Sequence, residues 1–127
     1  MKRGFTLVEI LVVVIVIAIL ATIAMPQFFK VAERGRAAEG VSALGALRAA
    51  QMRYYTEHQG SYADDCSDLD VDIGTLKYFA APACTGTSGN LASVTRSGSA
   101  DYGAYTLTIN ADGDITCAGG TKCPAGF

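Results

Sequence analysis

Hydrophobic side chains follow three different rhythms along this chain. From Phe5 to Met25 they form an almost unbroken run in which Glu9 is the only ionisable side chain. These 21 residues are enough for a helix that crosses the hydrocarbon core of a bilayer. Past Pro26 the rhythm changes. Residues 27–57 contain no proline, and Val41, Leu44, Leu47 and Tyr54 or Tyr55 recur at roughly helical spacing. Arg34, Arg36, Glu39, Arg48, Arg53 and Glu57 fill the other sides. The spacing predicts an amphipathic helix with one face laid against a sheet. A helix from Phe5 to about Glu57 would be about 80 Å long at 1.5 Å per residue.

Pro26 is the expected helix break, because proline lacks the amide donor and its ring meets the carbonyl four residues back, here that of Thr22. The outcome is either a kink or a segment that loses its helix. Gly35, Gly40 and Gly45 each lower helix propensity by about 1 kcal/mol. Their spacing does not keep them on one face, so flexibility or separate close contacts explain them better than one packed seam.

The third rhythm is that of strands. Gly60 ends the helical pattern, and residues 60–77 read as a loop carrying Asp64, Asp65, Asp68, Asp70 and Asp72. Tyr78–Ala81 is a candidate start of the sheet. Residues 85–100, rich in Thr, Ser, Gly and Asn, read as a loop or an irregular edge hairpin. Ala104–Ile109 alternates with period two, the turn Asn110-Ala-Asp112-Gly113-Asp114 follows, and Ile115–Cys117 returns. A long helix followed by antiparallel strands is an α+β pattern. The expected organisation is a leader at 1–4, a membrane or filament-core helix at 5–25, an amphipathic helix at 26–57, and a loop-and-sheet region at 58–127. The last two segments form one small globular domain.

Charge narrows the function classes. Lys and Arg number 10 against 12 Asp and Glu, and the net charge is -2. No basic stripe follows the apolar run, so nucleic acid is not a predicted partner. His58 is the only histidine and stands alone at a helix end. No Ser-His-Asp or Cys-His set and no phosphate loop is present, so the chain is read as a non-enzyme. The oxygen-rich positions Asp68, Asp70, Asp72, Asp112 and Asp114 are calcium candidates, weighed against solvated loops. Gly74 falls one position late for an EF-hand loop. No other cofactor is expected.

Lys2 and Arg3 precede the apolar run, which places the N-terminus in the cytoplasm and the rest of the chain outside. The cysteines then lie in an oxidising compartment. Cys66, Cys84, Cys117 and Cys123 include no Cys-x-x-Cys pair, which argues for disulfides over a zinc site. Three connectivities are open; Cys66–Cys84 with Cys117–Cys123 is favoured because each closes a local loop.

No small-residue cleavage site follows the apolar run cleanly, so any cut lies before it. Glu9 is the chemical anomaly. A carboxylate in hydrocarbon costs several kcal/mol unless it reaches the interface or finds a partner. Gly4-Phe5-Thr6-Leu7-Val8-Glu9, the apolar run and Pro26 together resemble the type IV prepilin signal. That resemblance, specific over about residues 3–30, implies cleavage between Gly4 and Phe5 by a prepilin peptidase and methylation of the new amine on Phe5. It implies that Glu9 pairs with the Phe5 amine of a neighbouring subunit, and that the segment at Pro26 melts in the filament. It further implies the lollipop shape of pilins, with the apolar half of the helix protruding from the globular part. The implied partners are further copies of the chain in a helical homopolymer, membrane lipid before assembly, the peptidase and an inner-membrane assembly platform. The implied locations are the inner membrane first and an extracellular pilus afterwards. The expected function is thus a structural pilus subunit. A type II secretion pseudopilin, or a minor pilin in adhesion or DNA binding, is the alternative.

Overall fold

A computed structural model describes residues 3–98, 102–119, 123, 124 and 126. The fold is α+β, with element order α1 (Leu7–Glu57), a short 3-10 turn (Cys66–Asp68), β1 (Ala83–Thr87), β2 (Asn90–Thr95), β3 (Thr106–Ile109) and β4 (Ile115–Ala118). The chain divides into two compact units, Met1–Glu33 and Arg34–Phe127. The division falls at Glu33/Arg34 rather than at Pro26, because Gln27 to Val31 remain exposed and burial begins only with Glu33 and Ala37.

In the Met1–Glu33 unit the helix is continuous through Pro26, so the break expected there is absent from this structure. One proline removes a single hydrogen bond of the ladder, while nucleating a second helix would fix several further residues. In the Arg34–Phe127 unit, Leu44, Leu47 and Ala50 of α1 are buried with Leu91, Val94, Tyr105, Leu107 and Ile109 of the sheet region. Gly40 has a packing reason. A Cβ there would lie 2.9 Å from the Phe79 ring, whereas Gly35 and Gly45 face open space.

The helix ends in a Schellman arrangement. The Gly60 N–H donates to the Tyr55 carbonyl at 3.0 Å, and Gln59 takes the left-handed position with φ 55°. The four strands form an antiparallel meander in the order β1-β2-β3-β4. Leu107 is opposite Val94 on one side and Cys117 on the other. One sequence expectation is corrected and one open alternative is decided. Tyr78–Ala81 contributes only an isolated bridge, Phe79 to Arg96, because Pro82 then interrupts the donors. Of the two alternatives for the Thr-rich stretch after 85, the structure has the irregular edge hairpin, β1–β2, with a bulge between Cys84 and Thr87. β-Branched threonines suit an edge strand even without an apolar face.

Disulfides join Cys66 to Cys84 and Cys117 to Cys123. The first ties the loop after α1 to β1; the second holds Cys123 to β4. Of the predicted leader, Met1 and Lys2 lie outside the described residues, as do 120–122, 125 and 127 of the C-terminal tail.

Candidate assembly surface at the N-terminus

Residues 3–6 are not helical, and α1 starts at Leu7. The local chemistry explains the start. Thr6 is the N-cap: its hydroxyl oxygen accepts the Glu9 N–H at 3.2 Å, and its own N–H donates to a Glu9 carboxylate oxygen at 2.7 Å. The Thr6 hydroxyl also donates to that oxygen at 3.0 Å. This is a capping box, Thr-x-x-Glu, in which two amides at the helix start are satisfied reciprocally. The sequence carried the pattern, but the apolar surroundings of Glu9 drew the reading toward a partner on another chain. Glu9 has a polar partner in its own chain.

Gly4 and Phe5, the residues flanking the expected cleavage point, sit in this non-helical stretch, and Phe5 is 87% exposed. A non-helical, exposed peptide is the form a protease can reach. Beyond it, Leu7, Val8 and Ile10–Ile17 are all exposed, as are Ile19, Leu20, Ile23 and Met25. The apolar window of α1 has a mean hydropathy of 3.1, and none of it is buried within the protein. Surface of this kind is stable only in lipid or against similar surface, since contiguous apolar patches this large mark an interaction site. Phe28 and Phe29 continue it, edge to face with centroids 6.1 Å apart.

The candidate calcium ligands are not brought together. Among the described residues, no group of three or more His, Cys, Asp or Glu is placed to hold a metal. Asp70 is held by Arg53 in two hydrogen bonds of 2.8 and 2.7 Å. The guanidinium holds the Asp70 carboxyl below its ordinary range and is itself raised. Asp72 accepts the Gly74 N–H at 2.8 Å, and Asp114 accepts from the Asn110 side chain at 3.3 Å. Asp68 and Asp112 are exposed. Loop carboxylates that accept backbone amides within a few residues are turn formers, and their oxygens are aimed at the chain rather than at a common centre. His58 is stacked on Tyr54 with centroids 3.7 Å apart, and its Nδ1 lies 3.0 Å from the Tyr54 carbonyl.

Two contacts missed in the sequence hold the unit around α1. Gln51 is completely buried; its amide nitrogen donates to the Ala63 carbonyl and its oxygen accepts the Ala63 N–H, each at 2.9 Å. Arg48 donates from Nε and Nη2 to the Ala111 carbonyl at 3.0 and 2.8 Å, clamping the β3–β4 turn to the helix. Both residues read as ordinary polar helix positions until the fold brings a peptide to them.

Residues 1–25 match the family described as the prokaryotic N-terminal methylation motif. The chain is 41% identical to the type IV major pilin protein PilA of Myxococcus xanthus over 58% of its own length and 31% of that protein. It is 39% identical to a fimbrial protein of Dichelobacter nodosus over 64% of its length and 52% of that protein. To the fimbrial protein EcpC of Eikenella corrodens it is 27% identical over 85% of its length and 72% of that protein. The chain thus spans about half the length or less of the first relatives it matches. No solved structure matches it.

Proposed function

This chain belongs to the type IV pilin family, and we propose that it is a structural subunit of a type IV pilus, held in the inner membrane by α1 until it is polymerised. The observation that carries the reading is the wholly unburied apolar surface of α1 between Leu7 and Met25, in a protein whose remaining apolar residues form an ordinary core. Assembly exchanges lipid for the helices of other copies. Close packing and interhelical polar contacts offset the change, because hydrocarbon tails are as apolar as leucine.

In this reading a prepilin peptidase cuts between Gly4 and Phe5, and the Phe5 amine is methylated. Methylation retains the positive charge. That amine is the cationic partner for Glu9 of a neighbouring copy, and the pair sets the axial stagger. Pairing is then an exchange of partners, since Glu9 leaves or shares its bonds to Thr6. The helix around Pro26, continuous in the single chain, is the segment that unwinds in the filament. Ordered extraction from the membrane needs an energy source outside the subunit, which the assembly platform and its cytoplasmic ATPase supply.

The test is the intact mass of the protein in material sheared from the cell surface. The expected species starts at Phe5, carries one methyl group and lacks the four hydrogens of two disulfides. The same species confined to the cell envelope would instead identify a secretion pseudopilin. A chain still starting at Met1 in a cell with an active prepilin peptidase would overturn the reading.

A further inference from the structure

Charge in the Arg34–Phe127 unit is separated along the helix. The loop after α1 runs back beside it: Ala63 is bonded to Gln51, Asp70 to Arg53, and the backbone N–H groups of Lys77 and Tyr78 donate to the Glu39 carboxylate at 2.7 and 2.8 Å. From Arg53 to Glu39 the helix axis advances about 21 Å at 1.5 Å per residue. At the Arg53 level the loop presents Asp64, Asp65 and Asp68 to solvent. At the Glu39 level, where Asp72 lines the same groove as Glu39, cations predominate. Arg36 and Lys77, both exposed, place their cationic groups 5.6 and 5.3 Å from the Tyr78 ring centroid, and the buried Arg96 lies 5.4 Å from it. Exposed Arg34 is adjacent on α1.

The local bonds of the acidic loop do not neutralise it. Among the described residues, Asp70 has a cation, Arg53, and no ion pair is seen at the other aspartates of the loop. Asp64, Asp65 and Asp72 accept the backbone N–H groups of Gly86, Ser67 and Gly74. Such donors orient a carboxylate but leave its charge in place. At the other end, the ring face of Tyr78 holds the side chains of Arg36 and Lys77 by cation–π attraction. Both long side chains are therefore partly ordered before any partner arrives, which lowers the entropy cost of docking.

We propose that the basic end of this unit, Arg34, Arg36 and Lys77 around Tyr78, docks against the acidic loop Asp64–Asp70 of a second copy of the chain. A contact that joins two different surfaces of one molecule is heterologous, and its repetition generates an open helical array. Complementary charge sets the register and direction of such a contact more than its affinity. The inference rests on the pilus reading and adds to it the surface through which the globular units meet.

Lys77→Glu, Asp68→Lys and the double variant test it in cells that assemble the wild-type chain. The readout is sheared filament protein relative to subunit held in the membrane. Each single change is expected to lower that ratio roughly tenfold or more, because like charges then face each other in the contact, and the double variant is expected to recover most of it. Lys77→Gln, which sets no carboxylate beside Glu39, is expected to lower the ratio in the same sense by less. A normal amount of membrane-held subunit shows that a variant folds. Single variants that shed filaments like the wild type, or a double variant no better than the worse single, would overturn the docking surface and leave the pilus reading standing. Wild-type cells without sheared filaments would overturn both.

Discussion

Gln51 shows how one side chain can hold an element it does not belong to. Its amide pairs with both polar groups of the Ala63 peptide in a completely buried site. Gln51→Leu leaves that peptide without partners and is expected to lower unfolding stability by about 2–3 kcal/mol, read from denaturant midpoints in detergent. Asp70 acts through charge. Its carboxyl is held below the ordinary range by Arg53, so its contribution is present above the unfolded value, about 3.9, and is lost as pH falls through the lower folded value. The melting temperature of Asp70→Asn should therefore fall below wild type near neutral pH and converge with it in acid; a gap that persists in acid would point to a role other than charge. Glu9 has a capping role and, in the function proposed above, a charge role, and one substitution can part the two. Glu9→Gln can still close the capping box with Thr6 but carries no charge. Filaments should be lost in Glu9→Gln as in Glu9→Ala, while helix content stays at wild-type level only in the former.

At the scale of elements, the helix end is the clearest case of local chemistry against local cost. Gln59 occupies the left-handed position of the Schellman end with φ 55°. That conformation costs a non-glycine residue about 1–2 kcal/mol. Gln59→Gly is expected to raise stability by about 1 kcal/mol, visible as a higher melting midpoint, because glycine is the usual residue at this position. The period-two pattern at 106–109 and 115–117 was legible as a hairpin because apolar positions alternate there. The β1–β2 hairpin was legible only as one alternative to a loop, since its first strand has no fully buried residue and gains its place by pairing with Asn90, Ala92 and Ser93 of β2. Pro26 was legible as a break from its missing donor alone; the continuous helix of the single chain shows that this loss is tolerated within a long run of helix formers.

At the scale of the molecule, two covalent ties reinforce a small core. The Cys66–Cys84 bond spans 18 residues, and a loop of that order is worth about 3 kcal/mol through the unfolded chain. Replacing both cysteines by serine should lower stability by about that amount in a reducing-agent-free melt. The exposed apolar surface of the other unit carries the opposite consequence: it must be covered by something outside the chain. What covers it changes between membrane and filament in the function proposed above.

The apolar run, the amphipathic half of α1 and the last hairpin were determined by the sequence itself, because each rests on periodicity within a few positions. Glu9 shows the limit of such reading: its apolar neighbours were visible, yet the nearest partner, Thr6, stood three positions away in a standard capping pattern. Only the tertiary structure decided that Gln51 meets Ala63, that Arg48 clamps Ala111, that Gly40 makes room for Phe79, and that the acidic and basic groups collect at different levels of one helix. Those contacts join residues far apart in the chain, and their partners are backbone groups or ring faces, which residue identity at one position does not reveal.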